Sequence, residues 1–135
     1  MAMLSNLGNY KNFGLLVIRL GLGAMFIYHG LPKLEGGPEM WKGLGGAAAN
    51  VGITFWPVLW GFLSALVEAG GGVLLILGLG FRPVCVLLLI NLIVAASFLF
   101  HKGDGWAGAA HPIEDAIMFA GLLFVGPGKY SVDKR

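Results

Sequence analysis

The chain holds 135 residues, the length of one domain, with 57% hydrophobic and only 12% charged side chains and a mean hydropathy of +0.81. A soluble domain carries roughly a quarter charged residues, so a water-exposed globule is excluded for want of polar surface, and the wealth of aliphatic and aromatic side chains excludes disorder. The net charge of +2 is scattered, with no basic block to follow nucleic-acid phosphates, and a lone cysteine, Cys85, rules out an intrachain disulfide or a Cys-x-x-Cys redox pair.

Four apolar runs predict an all-α, membrane-embedded antiparallel four-helix bundle, a single domain over residues 1–135. The residues before the first run do not read as a signal peptide, because no small-residue cleavage site follows it. The first helix, residues 13–31, is therefore expected to stay as a membrane anchor. Leu31-Pro32 should end it, since the residue before a proline disfavours helical geometry. Beyond Gly36-Gly37, residues Pro38 to Asn50 suit a short interfacial helix, with Met40, Trp41 and Leu44 dipped into lipid. The second helix is expected over 53–79 and the third over 84–101, with Gly78 to Pro83 making the tight turn between them. His101 to Gly105 leaves the third helix. His111-Pro112 opens the fourth, 112–126, with the proline in its first turn, and Gly126-Pro127-Gly128 ends it.

Call the side that holds both termini the terminal side, and the other the far side. The terminal side carries Lys11, Arg82, Lys129, Lys134 and Arg135; the far side carries Lys33, Lys42 and Lys102. This bias predicts a multi-pass inner-membrane protein with both termini cytoplasmic. Four tryptophans, Trp41, Trp56, Trp60 and Trp106, read largely as far-side interfacial anchors.

A charged side chain in hydrocarbon costs about 2.5–3.5 kcal/mol on insertion scales, so it needs a partner or a task. Arg19 and Glu68 both fall near the midplane of neighbouring antiparallel helices, and an Arg19–Glu68 ion pair is the expected arrangement. Such a pair would either pin two helices together or handle protons and anchor a ligand. Helical spacing puts Arg19, Phe26, Gly30 and Lys33 on one stripe of the first helix, with His29 beside it. On the second helix Gly61, Ser64, Glu68 and Gly72 share a face, flanked by Ala65 and Ala69, small enough for a neighbouring helix to come close. Asn91, Ala95, Phe98 and Lys102 form a stripe on the third, and Glu114, Asp115, Met118 and Gly121 mark the fourth.

Depth sorts the polar groups into two expected layers. Arg19, Glu68 and Asn91 belong to the midplane. His29, Lys33, His101, His111, Glu114 and Asp115 fall toward the far side, where histidines and carboxylates at a pocket mouth suit proton transfer or ligand binding. Headgroup solvation of histidines at helix ends is the plainer account of the same placement. No spacing matches a compact metal-ligand motif, and a bis-histidine haem on His29 and His101 has no further support, so neither metal nor haem is expected. Cys85 reads as a packing residue.

The stretches Arg19-Leu-Gly-Leu-Gly-Ala-Met-Phe-Ile-Tyr-His-Gly-Leu-Pro-Lys33, Trp60-Gly-Phe and Glu68-Ala-Gly-Gly-Gly together resemble the DoxX family, as do Leu77-Gly-Leu-Gly-Phe-Arg82, Glu114 and Gly126-Pro-Gly-Lys-Tyr-Ser-Val-Asp133. These are small four-helix membrane proteins of bacteria and archaea. They include a subunit of an archaeal thiosulfate:quinone oxidoreductase, and members linked to membrane-associated oxidoreductase complexes and to thiol or oxidative stress. The resemblance implies an accessory subunit of a quinone-linked oxidoreductase system, binding a quinone or similar lipophilic molecule in its bundle. His29, Lys33 and Arg19 would donate hydrogen bonds, and Glu68, Glu114 or Asp115 would carry protons. Electrons would come from a partner redox subunit, because the chain has no cysteine pair, flavin fingerprint or cluster motif, and no covalently bound cofactor is implied. Any enzymatic role would be that of a partner-dependent quinone oxidoreductase subunit. Two other readings stand beside it. One is a non-enzymatic scaffold or assembly subunit packed against other membrane proteins. The other is a small-solute carrier, which would need a homo-oligomer to make room for a water-filled route.

Overall fold

The computed structural model describes residues 3–133, without the side chains of residues 50 and 51; Lys134 and Arg135, counted in the basic bias, lie outside the described residues. A 3-10 turn, Ser5–Tyr10, leads into α1, Lys11–Glu35. The short α2, Gly37–Gly45, and a second 3-10 turn, Gly46–Val51, follow at once. Then come α3, Pro57–Leu77, α4, Phe81–Lys102, and α5, Gly105–Val125. By length and composition α1, α3, α4 and α5 are each able to cross a bilayer, and they pack together as the hydropathy pattern predicts.

Proline punctuation misplaces two boundaries. Pro32 lies inside α1, which runs on to Glu35, and Pro112 lies inside α5, which begins at Gly105 rather than at residue 112. In lipid there is no water to satisfy freed backbone groups, so continuing the helix past a proline is favoured over breaking it. The turn between α3 and α4 follows the glycines instead: Gly78 (φ 68°) caps α3 in the left-handed region and Gly80 (φ 59°) enters α4 from it.

α1 lies along α3 with the two backbones nearly touching. A Cβ on Gly23 would stand 2.6 Å from the Gly72 carbonyl oxygen, one on Gly72 2.6 Å from that of Gly23, and one on Gly30 2.5 Å from the Ala69 nitrogen. The small residues of both helices meet here, inside the chain. α2 then takes over the course of α1 along the first turns of α3. Gly61 sits against the Trp41 backbone and Gly45 against Pro57. Trp41 donates Nε1 to the Lys33 carbonyl at 3.0 Å, and its ring meets Phe62 edge-on at 4.9 Å. The connecting helix therefore does not lie free at the interface. Trp41 and Leu44 are half-buried on the bundle and only Met40 is exposed, because Gly45 and Gly61 open a groove that α2 fills.

Phe26, Leu75, Phe81, Val84, Leu88, Phe119 and Leu122 form the apolar core, with Cys85 packed among them. The rings of Phe26 and Phe119, 5.5 Å apart, join α5 to α1. α5 turns Ala109, Phe119 and Leu122 inward while Glu114 and Gly121 face out, so its inner face is apolar rather than polar as expected.

Candidate functional site

Arg19 and Glu68 do not pair. Gly30 packs directly on Glu68, which leaves Arg19 about 16 Å further toward the terminal side. Side-chain direction widens the gap: the Cα–Cβ bond leans toward the N-terminus of its helix. On antiparallel helices Arg19 thus leans toward the terminal side and Glu68 toward the far side. Lys33, beyond Gly30 on α1, leans back toward the interior and meets Glu68 instead.

Arg19 is 1% exposed and is held by the backbone. Its Nη1 donates to the carbonyls of Leu75 and Ile76, each at 3.4 Å, and its Nη2 to the carbonyl of Tyr130. The cation therefore sits on the negative end of the α3 dipole and ties the C-terminal tail to it. The tail adds a second tie. Val132 and Asp133 donate their N–H groups to the Leu77 and Gly78 carbonyls, both at 3.0 Å. The Asp133 carboxylate accepts from the N–H groups of Gly80 (3.0 Å) and Phe81 (2.8 Å), the orphan donors that open α4. Those bonds, Phe81 first and Gly80 next, hold its carboxyl below the ordinary carboxylate range, with Arg82 adding to the effect. Lys129 N–H donates to Asn12 Oδ1 at 3.0 Å, and Ser131 Oγ to the Gly128 carbonyl at 2.7 Å. The Gly126–Asp133 motif is a clasp across the terminal end of the bundle.

The polar groups around Glu68 are arranged differently. Lys33 Nζ donates to both carboxylate oxygens, at 3.1 and 3.0 Å. Asn91 Nδ2 donates to Glu68 Oε1 at 3.1 Å, and Ser64 Oγ to Asn91 Oδ1 at 2.6 Å. The Glu68 side chain is 11% exposed and that of Lys33 33%. All four residues line a cavity of about 640 Å³ between α3 and α4, roofed by Leu44, Ala48 and Ile53 of the connecting segment. Its other walls are apolar, among them Leu63, Val67, Ile90 and Phe98. α3 and α4 are close near their turn, where Gly71 faces Leu88 and Val84. Farther from the turn the connecting segment lies between them, and the cavity follows. A small-molecule site typically has this size and this mixture of an apolar wall with a few convergent polar groups.

The other candidates do not join this cluster. His101 is exposed, with its Nδ1 2.8 Å from the carbonyl of Ser97 one turn back on its own helix. His29, His111 and Glu114 are exposed and Asp115 is half-buried, with His111, Glu114 and His29 all within electrostatic reach of Asp115. Because α5 begins early, Asp115 comes within electrostatic reach of His29, next to Gly30 on α1, so this set lies near the depth of the Gly30–Glu68 contact. Glu68 and Asn91 therefore share a depth with His29 and Asp115, while Arg19 lies well to the terminal side of them and His101, near the end of α4, to the far side. Among the described residues no three His, Cys, Asp or Glu groups stand together as a metal ion would need. Trp60, read from the sequence as an interfacial anchor, is half-buried and lines the cavity. The signal that could have found it is its spacing: it precedes Ser64 by one turn and Glu68 by two, on the same face of α3.

The DoxX profile matches residues 14–102. Over 140 residues the chain is 28% identical to an uncharacterized protein of Haemophilus influenzae, covering 98% of this chain and 97% of that one. It is also 28% identical to the inner membrane protein YphA of Escherichia coli, covering 93% and 96% of the two chains. An uncharacterized membrane protein of Mycobacterium tuberculosis, Rv3486, is 33% identical over 135 residues, covering 87% of this chain and 78% of its own. No solved structure matches the chain.

Proposed function

The chain belongs to the DoxX family of membrane proteins, and we propose that it holds a quinone or similar lipophilic molecule in its bundle. In this reading it is an accessory subunit of a quinone-linked oxidoreductase system. The observation that carries it is the cavity of about 640 Å³ with the Lys33–Glu68–Asn91–Ser64 cluster on one wall and hydrocarbon on the others.

The cluster suits the head of such a molecule. An ammonium has three N–H donors and a primary amide two; Lys33 directs its bonds to Glu68, and Asn91 gives one donor to it, so both keep a donor for a ring carbonyl. Glu68 is the carboxylate on the cavity wall and the group placed to take up or release a proton when the ring changes oxidation state. Electrons come from a partner subunit. An inner-membrane location is supported by the name of YphA, and cytoplasmic termini by the basic bias; a C-terminal tag cleaved by protease in inverted vesicles supports that orientation, and a protected tag overturns it.

The binding test uses protein purified in mild detergent. Solvent extraction should recover quinone at close to one per chain, or decylubiquinone should titrate into the emptied protein with saturation. Protein that retains no quinone and takes up none overturns the reading.

A further inference from the structure

Among the described residues two buried side-chain nitrogens lack a hydrogen-bond partner, Arg19 Nε and Trp60 Nε1. Arg19 satisfies its other nitrogens on backbone carbonyls. The Trp60 side chain has no other polar atom, so its whole hydrogen-bonding capacity is unused in a setting where an unpaired donor is disfavoured. It lines the same cavity as Glu68 and shares a face of α3 with it. The Phe55 ring stands edge-on to it at 6.1 Å.

We propose that the Trp60 indole N–H is a ligand donor, bonding an acceptor oxygen on a neutral, carbonyl-bearing amphiphile seated between α3 and α4. The inference rests on the cavity being the binding site, and it names the class of molecule that site takes. Lys33 and Glu68 neutralise each other across 3.0 Å, so an anion would face the carboxylate and a cation the ammonium. What the cluster has in surplus is donors: a third N–H on Lys33, a second on Asn91 and the N–H of Trp60. A head group rich in carbonyl or ether oxygens complements that surplus, and an alcohol or amine does so less well. Leu87 and Ile90, 51% and 55% exposed, line the cavity and also face outward. The cavity thus reaches the lipid-facing surface of α4, where a hydrocarbon tail can lie among acyl chains.

Decylubiquinone and decylbenzene, which share a tail and differ in the oxygen-bearing ring, separate the alternatives in phosphatidylcholine nanodiscs. Wild-type protein should bind decylubiquinone more tightly than decylbenzene. Trp60→Phe should lose about tenfold in affinity for decylubiquinone, the worth of one good hydrogen bond, and nothing for decylbenzene. In wild-type protein carrying ¹⁵N-tryptophan, the Trp60 indole signal should shift on adding decylubiquinone and stay in place with decylbenzene; this readout does not depend on the variant folding. An indole signal that decylubiquinone leaves unmoved, or a Trp60→Phe protein with wild-type affinity, overturns the role of Trp60 while leaving the cavity reading intact. Wild-type protein that binds neither compound overturns both.

Discussion

The two ends of this bundle treat buried polarity in opposite ways. At the terminal end Arg19 and Asp133 are tied to backbone carbonyls and amides whose positions the helices fix. Near the middle and far side, Glu68, Lys33, Asn91 and Ser64 are tied to one another's side chains, beside open volume. A charge held by backbone cannot change partner without unwinding a helix. A charge held by rotatable side chains can share its donors and acceptors with a ligand. The contrast makes Arg19 part of the architecture and supports the proposed ligand-handling role of Glu68, although both are charged residues in apolar runs.

The largest expected effect belongs to the clasp. Arg19→Leu strips the carbonyls of Leu75, Ile76 and Tyr130 of a charged donor and should lower stability by about 4 kcal/mol, taking roughly 1.5–3 kcal/mol per charged hydrogen bond and incomplete additivity. Unfolding by graded SDS, followed by circular dichroism, measures it; a change below about 1 kcal/mol would dissolve the contrast between the two ends. Next comes the α1–α3 seam. Gly30→Ala places a methyl 2.5 Å from the Ala69 nitrogen, where no side-chain rotation relieves the clash, and overpacking of this kind costs about 1–3 kcal/mol. The same titration would expose a seam looser than described if Gly30→Ala unfolds like wild type.

Glu68→Gln should lower stability by about 1–3 kcal/mol, less than Arg19→Leu, because the amide oxygen still accepts from Asn91 and Lys33 while the lysine loses its counter-charge. It should also weaken decylubiquinone binding. A loss of stability as large as that of Arg19→Leu, with binding retained, would make Glu68 architectural like Arg19. The smallest effect is a pH dependence of the clasp. Asp133 has a lowered carboxyl pKa in the native state, so its contribution is complete above the unfolded carboxyl's value of about 4 and is lost as pH falls through the lower native value. The thermal midpoint of wild-type protein should therefore fall more steeply between pH 5 and pH 2 than that of Asp133→Asn. Parallel curves would remove Asp133 from the clasp.

Much of the architecture was legible in the chain itself. The four spans, the short helix after α1 and the glycines at 78 and 80 follow from hydropathy and turn chemistry, which act over a few residues. The inward stripe of α1 was legible too: Arg19, Phe26 and Gly30 are buried and Lys33 half-buried, as 3.6-residue periodicity requires. The partners of these residues were not legible. Counting from helix centres set Arg19 level with Glu68, but the glycine seam slides α1 along α3 until Gly30 meets Glu68. The role of the Gly-Pro-Gly…Asp133 stretch as a clasp was hidden as well, because its contacts reach Asn12, Arg19, Leu77 and Phe81 across the whole length of the sequence.

The sequence by itself determined that this protein lives in lipid, how many helices cross it, and which face of α1 turns inward with its polar groups. Those properties depend on side-chain transfer free energies and helical periodicity, both local. Only the tertiary structure decided that Lys33 rather than Arg19 neutralises Glu68, and that a cavity opens beside the pair. Both outcomes depend on how far one helix slides past another and which way a Cβ leans. That slide is set by backbone contacts at Gly23, Gly30 and Gly72, residues with no side chain to announce it.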